Sequence, residues 1–359
     1  MKTFINIGTL LKRENLNTER LVMKRIIGID QLRYIFALWV FFTHNGAPPF
    51  FNGHANIESY NFIDKLYGWC INGQDAVIGF FIISGLCIHF PNIERKSLDL
   101  RSFYIARLLR LVLPLIACLG LAKIINYQNN SGFIYAGPFW TLLCEGLYYI
   151  VYPVVWWLAK KNLLKKVIIF MSSFSVILII IWTPDRSMYF HEIGGGGFLF
   201  WKAAVLAFPC WLCGCLIAEN VSTSSSLYKA KVNTQSLWKW RLGAIFLSMI
   251  SFPLYRLGLY FNLINKPLIG LVFSSQFTIL LFGFYCFLWI EKEVILNNFG
   301  AVSPSRTLER FGLASYSLYL IHNIVIWSFN QIPLMYFPGH LNFLDRTISS
   351  RTCCNVCFL

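Results

Sequence analysis

An all-α, polytopic membrane helix bundle is the fold class the sequence predicts, with about nine to ten transmembrane helices and a cytoplasmic amino terminus. Two compositional facts and one pattern carry this expectation. The 359 residues are 57% apolar and only 13% charged, against roughly 25% charged in an average soluble domain. Mean hydropathy is +0.57, and 33 Phe, 17 Tyr and 12 Trp give more apolar surface than one globular core can hide, so part of it must face lipid. The apolar residues also come in runs close to the ~20 residues a span requires. Short loops remain, and no room for a separate soluble domain.

Taken in order, the runs predict helices at about 29–48, 75–90, 108–125, 139–159, 167–182, 198–218, 242–259, 268–290 and 313–332. Breakers separate them on one side: Pro48, Pro49, Asn52 and Gly53 after the first, Gly132 to Pro138 before the fourth, and Gly194 to Gly197 before the sixth. His191, Glu192 and the four glycines after Ile193 match no metalloprotease or phosphate-loop pattern and read as a mobile loop. Ser222 to Ser226 reads as a solvated linker. Positive residues concentrate in alternate loops: six Lys and Arg in the amino-terminal arm, then five, four, four and three, making 22 of the 31. Such residues stay on the cytoplasmic side, which places the amino terminus inside and the carboxyl terminus outside. The chain therefore divides into a basic arm, 1–25, read as disordered, a membrane domain, 26–332, and an atypical polar, Cys-rich tail, 333–359, read as truncated or frameshifted. Met23, followed by Lys24 and Arg25, makes as good a start as Met1, and no cleavable signal peptide precedes the first run.

A net charge of +15 invites a nucleic-acid reading, but the cations lie in loops between apolar runs and form no basic stripe with interleaved aromatics, so no nucleic-acid partner is expected. The eleven Cys fall mostly inside apolar runs, where a free Cys behaves as a small hydrophobe. Cys210, Cys213 and Cys215 have no nearby His or Asp, and Cys353, Cys354 and Cys357 have no partner motif. No metal site is expected.

A charge inside a span costs on the order of 3 kcal/mol on insertion scales, which makes each one a candidate functional residue. The first run carries Asp30, Arg33 and His44. Eleven residues at ~100° and 1.5 Å each put Arg33 and His44 within about 20° of one another and ~16 Å apart along the helix: one face, two depths. Asp30 precedes Arg33 by one turn and is placed to orient its guanidinium. The plain alternatives are a snorkelling arginine and a helix-end histidine. Arg107 and Arg110, at i and i+3, form either a bidentate phosphate clasp or a positive-inside stop signal. Glu145 lies about two turns into an apolar helix, where it either assists a base or bonds Tyr148, Tyr149 or an arginine. Ser315, Tyr319 and His322 share one polar face of the last run, for catalysis or for interhelical packing and hydrogen bonding.

Five ordered blocks, GIDQLRYIFALWVFFTH (28–44), FFIISGLCI (80–88), FYIARLLRLVLPL (103–115), WTLLCEGLYY (140–149) and SYSLYLIH (315–322), resemble the signature blocks of acyltransferase family 3, the membrane O-acyltransferases that include bacterial O-antigen acetylases. The resemblance implies a cytoplasmic acyl-CoA donor, usually acetyl-CoA, a carbohydrate acceptor, whether free glycan or lipid-linked, and a multi-pass protein among the lipids of the bacterial inner membrane. It implies that Arg33, Arg107 and Arg110 hold the donor, that His44 and Glu145 are catalytic, and that Trp140, Tyr319 and His322 bind substrate. This is the stand-alone form, without the periplasmic esterase-like domain of longer members. Where the family often carries a second acidic residue after the glutamate, this chain has Gly146.

The residues suit that chemistry. A sugar hydroxyl is a weak nucleophile, and its attack on a thioester needs a base near neutral pKa, for which imidazole is the natural group. Direct transfer and an acetyl-histidine intermediate are equally compatible with the sequence. The rivals are a proton-coupled transporter, for which intramembrane His, Glu and Arg also serve but which often shows paired halves and broken helices not found here, and an assembly subunit of a glycan-export system.

Overall fold

The computed structural model describes residues 26–45, 67, 71–127, 139–182, 200–223, 237–263, 266, 269–298 and 303–336. Among them every regular element is helical. Nine helices are long: α1 (Ile29–Asn45), α2 (Gly73–His89), α3 (Leu100–Ile124), α4 (Phe139–Lys160), α5 (Leu164–Trp182), α6 (Phe200–Thr223), α7 (Leu237–Tyr260), α9 (Ser275–Asn298) and α11 (Ser315–Tyr336). Two short helices, α8 (Ile269–Val272) and α10 (Arg306–Gly312), and a 3₁₀ turn at Phe90–Asn92 complete the set. Six helices, α2 to α7, are long and apolar enough to cross a membrane. The other three long helices, α1, α9 and α11, carry Asp30, Arg33, Glu293 and His322.

Helices α2 and α6 form the centre. In each, 72% of the membrane-length window is buried, against 11% for α3, whose Leu108, Leu109, Leu113 and Ile116 are exposed as lipid-facing residues should be. The α2–α6 contact is made at backbone distance. A Cβ on Gly85 would run into the Trp211 carbonyl, and one on Gly214 into the Ile82 carbonyl. Lipid tails are as apolar as leucine, so close approach of small residues replaces hydrophobic burial as the force between helices. Around this pair, α1 and α9 pack on α2, while α4, α5 and α9 pack on α6; α11 lies against α1 and α3, and α10 against α1.

The helix ends have local causes. Asp99 caps α3, accepting from the Arg101 and Ser102 N–H groups at 3.1 and 3.3 Å, and the bond from the Ser102 hydroxyl, with these backbone bonds behind it, holds its carboxyl below the usual range. Asn126, Asn162 and Asn262 follow α3, α4 and α7 in the left-handed conformation, with φ of 52°, 57° and 49°. The next N–H then reaches back across the last turn, Tyr127 to Ala122, Leu163 to Leu158 and Leu263 to Gly258, at 2.9, 3.0 and 2.8 Å, which is the Schellman closure.

Several boundaries differ from the sequence expectation. α3 begins at Leu100, so Arg101, Arg107 and Arg110 lie within the helix rather than at its foot. The eighth run is broken after Val272 and then continues as α9 to Asn298, beyond the expected end at 290. The reason is electrostatic. Glu293, fully buried, accepts from Arg241 of α7 through Nη2 at 2.6 Å and Nε at 3.3 Å and from Trp289 Nε1 at 2.7 Å, so a charge inside the helix costs little. Ser222, expected in a linker, is helical and donates to the Glu219 carbonyl at 2.9 Å. α11 runs through Pro333 to Tyr336. The amino-terminal arm, the Gly132 to Pro138 breakers, the His191 to Gly197 segment and residues 337–359 lie outside the described residues.

Two outcomes test this packing. Gly214→Val should abolish monodisperse elution in fluorescence-detected size-exclusion chromatography, because the Ile82 carbonyl leaves no room. Arg241→Ala strands a buried carboxylate and should destabilise by about 3 kcal/mol, read as a lower melting temperature in detergent, with Arg241→Lys intermediate.

Candidate active site

α1 carries its two ionisable landmarks on one face, and the structure gives each a different neighbourhood. Near the start of the helix, Arg33 Nη1 donates to Asp30 Oδ1 at 2.6 Å, the orienting contact expected from their spacing. Arg33 lines a cavity together with Ser84 of α2, Arg110 of α3, Thr141 and Glu145 of α4, and Ser315, Tyr316 and Tyr319 of α11. It encloses roughly 700 Å³ of non-atom space, part of it open to the surface.

The cavity is a paired-charge site. Glu145 accepts from the Ser84 hydroxyl at 2.7 Å and from the Tyr149 hydroxyl, and its charge acts on Arg33. Two donors plus a nearby guanidinium satisfy a carboxylate in an apolar surround without a second acid, which explains how Glu145 manages with Gly146 beside it. Arg110 adds a second cation. The Tyr316 hydroxyl is buried and has no hydrogen-bond partner among the described residues, so a polar group of a ligand has a place to bond. Arg107 does not line this cavity. Its guanidinium lies 5.6 Å from the Phe103 ring centroid and 6.0 Å from that of Tyr149, beside the aromatic side of α3 and α4. Trp140 packs half-buried against the main core and also stands off the cavity wall.

At the other end of α1, His44 meets His322. The ring centroids are 4.7 Å apart with the planes tilted by 55°. His44 Nδ1 lies 2.9 Å from the Val40 carbonyl. A carbonyl only accepts, so Nδ1 holds the proton and Nε2 is left as the basic atom. Tyr319 connects the two regions: it lines the cavity, bonds Thr141 Oγ1 at 2.8 Å, and its ring lies 5.8 Å from that of His322.

The structure therefore brings Arg33, Arg110, Glu145 and Tyr319 to one cavity, and His44 and His322 to one contact beside it. It does not place Glu145 against His44: Ser84 and Tyr149 hold the carboxylate, whereas Val40 and His322 hold the imidazole. Sequence reasoning passed over Ser84, Thr141 and Tyr316. Ser84 was visible as the lone hydroxyl in its block, and Thr141 as the residue one turn before Glu145 on the same face. Among the described residues no group of three His, Cys, Asp or Glu side chains could hold a metal ion.

This arrangement offers two cations and a polar wall for an anionic ligand, and a neutral imidazole ~16 Å further along the same helix. That combination can hold a charged group at one place and move a proton at another. No curated protein and no solved structure matches the chain. The family model described as an acyltransferase domain matches residues 26–337, which takes in every helix described above, and the chain accordingly belongs to acyltransferase family 3 and is a membrane acyltransferase.

Proposed function

We propose that the protein is an O-acyltransferase that moves an acetyl group from cytoplasmic acetyl-CoA to a hydroxyl of a cell-surface carbohydrate, such as lipopolysaccharide O-antigen or an exopolysaccharide, in the bacterial inner membrane. The observation that carries this reading is the cavity in which Arg33, Arg110 and Glu145 converge and which Tyr319 links to the His44 and His322 rings.

The division of labour follows from charge. Guanidinium groups grip phosphate oxygens through two parallel hydrogen bonds, so Arg33 and Arg110 bind the phosphates of CoA, and Arg107 guides them from beside the aromatic wall. The pantetheine arm then reaches along α1 towards His44, past Trp140 and Tyr319. His44 Nε2 takes the proton of the acceptor hydroxyl as its oxygen attacks the thioester carbonyl. The C–S bond breaks, the electron pair leaves on sulfur, and the thiolate is reprotonated to free CoA. Glu145 balances the cations and accepts from the Ser84 and Tyr149 hydroxyls.

His44→Ala should remove the acetyl ester from the surface glycan, read by mass spectrometry of the glycan, at unchanged protein level; unaltered acetylation would rule out the base role. Arg110→Ala should weaken acetyl-CoA binding to the purified protein by about 10-fold or more, the loss of a charged hydrogen bond of ~1.5–3 kcal/mol. Failure of the unaltered protein to bind acetyl-CoA would instead favour a transporter.

A further inference from the structure

We propose that His322 is a positioning residue that shares with His44 the single proton taken up in the transfer, so that the two imidazoles act as one base. This rests on the reading of His44 as the base. Its own ground is a juxtaposition that acyl transfer by His44 alone does not require.

His322 is 1% exposed. Its Nδ1 faces the carbonyl of Tyr319, one turn back on α11, so by the argument used for His44 the proton lies on Nδ1 and the lone pair on Nε2. That Nε2 is buried and has no hydrogen-bond partner among the described residues. A buried acceptor without a donor is costly and uncommon in native structures. Here the ring at 4.7 Å is another imidazole whose Nδ1 is likewise tied to a backbone carbonyl. Each ring therefore presents an Nε2 lone pair, and in the neutral state neither can donate from Nε2 to the other. One added proton changes this. The ring that receives it becomes a donor at Nε2, and the other supplies the acceptor it lacked. A second proton would leave two donors and two charges in contact. The pair is thus built for one proton.

The proton of the acceptor hydroxyl passes to His44 Nε2 as the new O–C bond forms, and the resulting N–H donates to His322 Nε2. The thiolate released by cleavage of the C–S bond withdraws that proton as CoA thiol, returning both rings to the neutral state. Among the described residues, no other side chain in the surroundings takes this part. On α11 itself Tyr319 offers its carbonyl and ring. From α3, Cys118 turns its thiol to the Leu320 carbonyl, and Arg110 acts on Tyr316. From α4, Glu145 acts on Tyr319 and Tyr316. From α2, Asp75 accepts from Ser248. On α1, Arg33 is engaged by Asp30 at the far end, Tyr67 gives its hydroxyl to the Phe42 carbonyl, and α10 carries Glu309 and Arg310 next to the Asp30 end. Among the described residues, the side chain acting electrostatically on His322 is His44.

The test uses the full chain labelled with [15N]histidine in lipid bilayers. There are six histidines, and the His44 and His322 signals are assigned by their loss in His44→Gln and His322→Phe. Solid-state NMR across pH should show the two rings taking up one proton in a common step, with the His44 step moved about one pH unit lower in His322→Phe, where the acceptor is gone. Two independent protonations, or an unmoved His44 curve in His322→Phe, overturn the proposal. In parallel, CoA release from acetyl-CoA should show kcat down by about 100-fold in His322→Phe, with KM for acetyl-CoA unchanged and partial recovery in His322→Gln, whose amide oxygen can accept. A loss confined to KM, or no recovery with Gln, assigns His322 a purely structural role and overturns it. Retained glycan acetylation in His44→Ala would refute the parent reading instead, and the one-proton step in the NMR titration then decides the pair by itself.

Discussion

The backbone contact between α2 and α6 is the constraint on which the other features depend. In water, apolar side chains would drive these helices together; in lipid they have no such preference, and association depends on how closely two backbones can approach. Gly85 and Gly214 allow that approach, each occupying space directly against a carbonyl of the opposite helix. The consequence reaches the cavity within one residue. Ser84 precedes Gly85, so the rotation of α2 that presents its glycine to α6 also fixes where its hydroxyl projects, and that hydroxyl bonds Glu145 on α4. A packing requirement at the centre of the bundle thereby orients a charged group at its wall.

The same economy governs the polar groups elsewhere. Glu293 is matched to Arg241 and Trp289, and His89 lies between Tyr152 at 3.2 Å and Glu219 at 2.8 Å. Both sets join helices that are distant in sequence, and both are satisfied without any ligand. Tyr316 and His322, like Trp39, Arg107 and Trp211, each keep a buried polar atom without a hydrogen-bond partner among the described residues, and both lie on α11, which borders the cavity and the His44 ring. On the proposed mechanism, a substrate completes the first and a proton the second.

Much of this was legible in the chain itself. The apolar runs fall on helices, the eighth of them broken after Val272, and six of these helices are long and apolar enough to cross a membrane, where helix is the only satisfied single-segment conformation. The face shared by Arg33 and His44 was readable from period alone, and so was the Asp30 contact. Partnerships across helices were not. Nothing local says that Ser84 meets Glu145, or that His322 reaches the end of α1 rather than the cavity, since both depend on helix rotation set by glycines far from the residues concerned. For Arg107 and Arg110, spacing gives the shared helix face but not the neighbours: Arg110 lines the cavity while Arg107 packs beside the Phe103 and Tyr149 rings. Nor is the end of α9 readable locally: the helix continues through Glu291, Lys292 and Glu293 because Arg241, distant in sequence, pairs with Glu293.

The separation of the two ends of α1 has an energetic reason. A base that must accept a proton is penalised by a nearby fixed cation, yet a phosphate-bearing donor needs cations to bind. At an effective dielectric constant near 20, two unit charges 4 Å apart repel by about 4 kcal/mol, and at ~16 Å by about 1 kcal/mol. Placing Arg33 and His44 three turns apart therefore removes most of a penalty that adjacency would impose, and the negative charge of Glu145 beside Arg33 reduces the remainder. On the proposed mechanism, the donor binds at one place and reacts at another, which suits a thioester on a flexible arm better than a compact acyl phosphate. A second imidazole beside the first fits that geometry: with the cations kept at a distance, a neutral acceptor can stabilise the transient positive charge without bringing a permanent one near it.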